Sequence, residues 1–211
     1  MAGRAGDPTV NDDLVVWRCS VVGAPPHWPV LQVLAVKHPQ VHGQAQSRAA
    51  ARGRTRQVLL QQAGPDTAWP VLAAERGDTG AGRVSISHED GFSLVAWCER
   101  GCIGIDVVGP RGLAGASPEE LERMTSLYLG TDPAGTAAVT PAGQSCQQRF
   151  AMAWARHEAQ LKCLGLGLDE CSAALHTRLS NCRTARVALP SSVTCNAAAL
   201  EAWIAWRERP D

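Results

Sequence analysis

The run Trp154-Ala-Arg-His-Glu-Ala-Gln-Leu-Lys-Cys-Leu-Gly-Leu-Gly-Leu168 decides how this chain is read. As a helix it sets Trp154, Glu158 and Lys162 four residues apart, so that they stack along one face. Gly165 and Gly167 then supply the positive-φ freedom that ends a helix, which is expected over about 145–164. A carboxylate and an ammonium at that spacing are most often a plain solvated pair, with Trp154, Leu161 and Leu164 turned to the core. Two upstream segments on strand-like runs, Ser85-Ile-Ser-His88 and Gly104-Ile-Asp-Val-Val108, change what the pair means.

Composition narrows the classes first. At 211 residues the chain makes one large domain or two small ones and can bury a substantial core. Twenty Lys+Arg balance twenty Asp+Glu, so no global charge argues for nucleic acid or an anionic membrane. Lys37 and Lys162 are the only lysines, which sets the ammonium at 162 apart from surface filler. The spacings Cys98-x3-Cys102, Cys163-x7-Cys171 and Cys182-x12-Cys195 match no zinc pattern, so the eight cysteines read as reduced thiols in the core. Asp7, Asp12 and Asp13 interrupt any signal-peptide core, and no run reaches the ~20 apolar residues of a membrane span. A soluble, cytoplasmic monomer with neither nucleic-acid nor membrane partners is expected.

Along the chain, Leu14 to Val22 and Leu31 to Val36 read as strands, and Gln44 to Gln62 as a helix stopped by Gly64-Pro65. Arg48, Arg52 and Arg56 recur on that helix as a cationic stripe. Arg83 to Val108 predicts a three-stranded antiparallel meander turning at Glu89-Asp-Gly91 and Glu99-Arg-Gly101. Ser117-Pro-Glu-Glu120 carries a capping box with proline at the first helical position. Gly130 to Gly143 reads as a loop. Beyond Leu168, short strands are expected around 175–179, 185–189 and 193, then a final amphipathic helix over 197–207. The fold class is α+β.

Together the three segments resemble, in order and spacing, the signature of the Sfp-type 4′-phosphopantetheinyl transferases. That pattern is an S-x-S-H strand end, a G-[IV]-D-[IV]-E strand, and a helix W-x-x-K-E-[AS]-x-x-K followed by G-x-G-L. The likeness covers roughly Arg48 to Leu168 and departs from the pattern at Val108 and His157. It implies two pseudo-symmetric halves, 1–103 and 104–211, each a small antiparallel sheet packed on a long helix, with coenzyme A bound near Cys102 to Gly104. The implied activity is transfer of the 4′-phosphopantetheine arm from coenzyme A to a serine of an acyl or peptidyl carrier protein, releasing adenosine 3′,5′-bisphosphate. Such enzymes serve fatty acid, polyketide or nonribosomal peptide biosynthesis. A non-catalytic relative that binds coenzyme A or a carrier is the alternative.

Strand alternation puts Asp106 and position 108 on one face, where two carboxylates could share a hard divalent cation. The resemblance implies an acid at both positions; since Val108 cannot ligate, it leaves Asp106 and Glu158 as the implied ligands of Mg²⁺, an ion that accepts one or two carboxylates with phosphate and water. Taken alone, Asp106 is more simply a strand-end carboxylate before Gly109-Pro110. The resemblance makes Glu158 the acceptor of the serine proton and Lys162 the stabiliser of phosphate charge. It also gives Ser87, His88, Arg48 and Arg52 to the coenzyme A phosphates, with Arg76 and Arg83 as further candidates. The same residues also suit a turn histidine and a solvated arginine face. His157 replaces the family's lysine and is mostly neutral near pH 7, which removes one phosphate contact unless Arg156 supplies it. Arg111 to Tyr128, with Arg123, Met124, Leu127 and Tyr128, is a candidate docking face for an acidic carrier helix, or a segment packed inward.

Overall fold

A computed structural model of the chain describes residues 15–24, 31–38, 44–63, 84–89, 91–98, 100–109, 113, 115–130, 145–191, 193 and 200–208. Side chains at 31, 44–48 and 59–63 are outside that description, as are the expected loop at 130–143 apart from Gly130, and the arginines Arg76 and Arg83.

Two four-stranded antiparallel sheets lie face to face. The first contains β1 (Val16–Arg18), β3 (Leu31–Lys37), β5 (Phe92–Cys98) and β4 (Val84–Glu89), in that order. The second runs β2 (Ser20–Val22), β7 (Arg183–Ala188), β8 (Glu201–Arg207) and β6 (Cys102–Val108). Helix α1 (Gln44–Ala63) joins β3 to β4, and α3 (Cys146–Leu164) lies between β6 and β7. Between β6 and α3 come α2 (Pro118–Met124) and a π-helical turn, Thr125–Leu129; α4 (Ala173–Leu179) follows α3.

With α2, the π turn and α4 set aside, the described elements repeat strand, helix, strand, strand as β3-α1-β4-β5 and β6-α3-β7-β8, and each time the last strand is central between the other two. The edge strands β1 and β2 follow one another, with Cys19 between, yet they join different sheets. A division at 103/104 thus leaves β2 pairing across it.

The alternation of each strand sorts its side chains between layers. Val33, Ala35, Phe92, Leu94 and Ala96 meet Ile103, Ile105, Val107, Ile204 and Trp206 between the sheets. The outer face of the first sheet packs Leu34, Val36, Val84 and Val95 on Val58 of α1. On the second sheet, Cys102, Trp203 and Ala205 pack on Met152, Ala155, Ala159 and Cys163 of α3. Central β5 and β8 are consequently buried on both faces.

Several expectations need correcting. β6 does not complete a meander on β5; it pairs along its length with β8. Its other edge meets β4 through side chains, because Ser85, Ser87 and Glu89 share one face of β4. Their oxygens accept from the amides of Ile105 (3.0 Å), Val107 (3.2 Å) and Gly109 (2.8 Å). Three side-chain acceptors thus satisfy an edge that a backbone ladder would otherwise fill. Residues 201–207 form a strand rather than the end of a helix, since Ala202, Ile204 and Trp206 face one layer and Trp203 and Ala205 the other. Residues 173–179 are helical, capped by Ser172, with Leu175 and Leu179 buried one turn apart.

Candidate functional site

Gly104 is the point where α3 comes down on β6. A methyl there would overlap the Ala159 carbonyl oxygen and the Cys163 amide nitrogen, so only glycine lets the helix lie this close. The capping box of Ser145 and Gln148 starts α3, and Gly165 ends it at φ 65°. That register brings Glu158 and Lys162 over Asp106, two residues beyond Gly104 on the same face.

Lys162 Nζ lies 2.6 Å from Asp106 Oδ1 and donates to the Ile105 carbonyl at 3.2 Å. Ser87 Oγ, reaching across from β4, donates to the same Asp106 oxygen at 2.8 Å. Asp106 is 7% exposed, so its charge is balanced chiefly by these two donors. Burial pushes the pKa of Glu158 up; the charge of Asp106 raises it further, and Lys162 draws it back. Two carboxylates that repel one another beside a single ammonium form an anionic cluster suited to a hard cation. Asp106 and Glu158 are the carboxylates that could hold a cation here. Among the described residues, no set of three or more His, Cys, Asp or Glu side chains converges on a metal position. Val108 instead packs beside α3 and the second sheet.

The nucleotide-binding residues expected from sequence do not all assemble here. Ser87 and His88 point to opposite faces of β4: Ser87 is buried against Asp106, whereas His88 is exposed, its Nδ1 2.7 Å from Ser93 Oγ. The Ser87 hydroxyl also accepts from Val107, so it orients the site carboxylate rather than presenting itself to a phosphate. Arg52 is exposed on α1 beside buried Ala51 and Thr55, on the first-sheet side with His88. The Arg48 side chain lies outside the described residues. Acid and lysine thus belong to one layer pair, histidine and arginine to the other, with the β4–β6 seam between them.

His157 and Arg156 both leave the cluster. His157 is buried, its Nε2 without a partner, and burial holds its pKa below the usual imidazole range. Arg156 lies over the Trp203 ring, 5.8 Å from its centroid, and helical geometry places it on the opposite side of α3 from Glu158. Neither stands in for the other. Trp154, the first residue of the pattern, is wedged between Phe150 (5.4 Å, stacked) and Tyr128 (5.7 Å, edge-on), which ties α3 to the π turn. Of the candidate docking face, Tyr128 packs inward on Trp154 while Arg123 and Leu127 remain exposed. A cavity of about 350 Å³ beyond α3, lined among others by Leu166, Leu168, Leu175 and Arg178, includes none of the site residues.

No family model, curated protein or solved structure matches the chain. Among the described residues, no helix is long and apolar enough to cross a membrane.

Proposed function

We propose that this protein is a phosphopantetheinyl transferase-like enzyme, moving the 4′-phosphopantetheine arm of coenzyme A onto a serine of an acyl or peptidyl carrier protein. The observation that carries the reading is the Asp106–Lys162 pair held by Ser87, with Glu158 one helical turn before the lysine. Those residues come from the three segments whose order and spacing suggested the activity. The duplicated strand–helix–strand–strand order supports the fold that goes with it.

In this reading coenzyme A lies across the β4–β6 seam, its 3′-phosphate toward His88 and Arg52 and its pyrophosphate toward Asp106. Mg²⁺ held by Asp106 and Glu158 would neutralise pyrophosphate charge. Glu158, its pKa raised by burial and by Asp106, is suited to take the proton from the attacking serine hydroxyl. The serine oxygen forms a bond to the β-phosphorus as the pyrophosphate bridge breaks, and adenosine 3′,5′-bisphosphate leaves. Lys162 gives up part of its pairing with Asp106 to the charge developing on that leaving phosphate.

Val108 and the inward-turned His157 favour a second reading, a relative that binds coenzyme A or a carrier without transfer. Incubating the protein with coenzyme A, Mg²⁺ and a panel of apo-carrier domains separates the two. A carrier that gains the mass of phosphopantetheine supports transfer. Tight coenzyme A binding with every carrier unmodified supports the second reading.

A further inference from the structure

Three thiols meet beneath the end of α3. Cys163 stands in its last turn, Cys102 opens β6, and Cys182 sits between α4 and β7; they are 0%, 1% and 8% exposed. Cys163 Sγ donates to the Cys102 carbonyl at 3.3 Å, and Cys163, Cys102 and Cys182 lie in one buried cluster with Leu164 and Leu179. The neighbouring Cys163 side chain draws the Cys182 pKa down, opposed by burial and assisted by the charge of Arg207. The Cys182 side chain, followed by burial, pushes Cys163 strongly up. Among the described residues they do not form a metal-binding group.

We propose that Cys163 and Cys182 are an oxidisable pair, which a peroxide converts into an intramolecular disulfide tying the end of α3 to the start of β7. Cys182 is the more exposed partner and has the guanidinium charge of Arg207 nearby, which are features of a reactive thiol. Its thiolate attacks one peroxide oxygen, giving a sulfenic acid and hydroxide. Cys163 then attacks that sulfur, its proton neutralising the hydroxide released with the S–S bond. Each sulfur loses one electron and the peroxide gains two, so two thiols and hydrogen peroxide yield a disulfide and two waters. Both side chains belong to one buried cluster, so they come together within the existing packing of α3. Lys162 directly precedes Cys163, so the same link anchors the turn that carries the site ammonium. The inference does not depend on the transferase reading.

The test is peptide mapping of the folded wild-type protein after brief treatment with near-stoichiometric hydrogen peroxide and alkylation. Trypsin cuts after Lys162, Arg178 and Arg183, which places Cys163 in peptide 163–178 and Cys182 in peptide 179–183. Cys171 shares the first peptide, so the map is repeated with Cys171→Ser. The expected product is these two peptides joined, two hydrogens lighter than their sum, and separated again by dithiothreitol. In Cys182→Ser, Cys163 should stay alkylatable after the same treatment. Recovery of both peptides alkylated, a sulfinic Cys182 beside a free Cys163, or a bridge to Cys102 or Cys171 instead would each overturn the proposal. The wild-type map stands even where the serine variant folds poorly.

Discussion

Replacing Gly104 by alanine tests whether the contact between β6 and α3 builds the site. Strand propensity alone says the change should help, since glycine inside a strand costs about 0.5–1 kcal/mol relative to alanine. The structure reverses the sign. The added methyl would overlap the Ala159 carbonyl oxygen and the Cys163 amide nitrogen, backbone atoms that cannot rotate aside. Restoring contacts of about 3.5 Å requires the helix to lift by roughly 1.5 Å. Overpacking of this kind costs about 1–3 kcal/mol, and a backbone partner puts it at the upper end. For a chain of this length about 3 kcal/mol lowers Tm by roughly 6–12 °C. The same lift stretches the 2.6 Å Lys162–Asp106 contact out of hydrogen-bonding range. Displacements of about 1 Å can cost about a hundredfold in rate, so transfer should fall far more than stability. Urea melts and carrier-loading rates of the two proteins measure both. A Gly104→Ala protein as stable and as fast as wild type, or more stable, refutes the argument.

Glu158→Gln should raise Tm while abolishing transfer. Burial and the Asp106 charge lift the Glu158 pKa above its ordinary 4.5, so the stability that the protonated group contributes is present below that value and lost as pH rises through the folded pKa. The Tm gain should therefore appear near pH 7–8 and vanish near pH 4; a gain independent of pH contradicts the cause. Added Mg²⁺ at about 100 times its Kd should stabilise wild type by about 2.7 kcal/mol, but not the glutamine variant. Val108→Glu places a carboxylate directly opposite Glu201, which is 2% exposed and already paired with Arg186 at 2.9 Å. Like charges facing across strands destabilise, so this variant should melt lower and recover with Mg²⁺ only if residue 108 reaches the metal. Arg123→Glu should raise the carrier KM several-fold at low salt and leave the coenzyme A KM unchanged. An unchanged carrier KM puts the docking face elsewhere.

The parts of the fold legible in sequence are those fixed by local chemistry. α3 was bounded by Ser145 and Gly165, and α2 by its capping box, because caps are read within four residues. The partner of β6 was not legible, because pairing is nonlocal: β8 lies about a hundred residues away, and β4 meets β6 through serine and glutamate oxygens rather than a ladder. The residues of β8 mislead for a different reason: Ala202, Ala205 and Arg207 favour helix in isolation, and burial on both faces overrides them. For the site, the spacing of Glu158 and Lys162 and the position of Asp106 were readable. The opposite facing of Ser87 and His88 follows from strand alternation and could have been read too. That Gly104 lets the helix down, and that Cys163 finds Cys182, required the folded chain.

The most direct measurement of the central claim is the release of adenosine 3′,5′-bisphosphate, followed by chromatography while the carrier is weighed by mass spectrometry. One equivalent should appear per carrier modified, only with Mg²⁺, and neither signal should appear with Asp106→Ala folded as wild type. Coenzyme A bound but intact, with no bisphosphate across the whole carrier panel, or release undiminished in Asp106→Ala, would contradict the account.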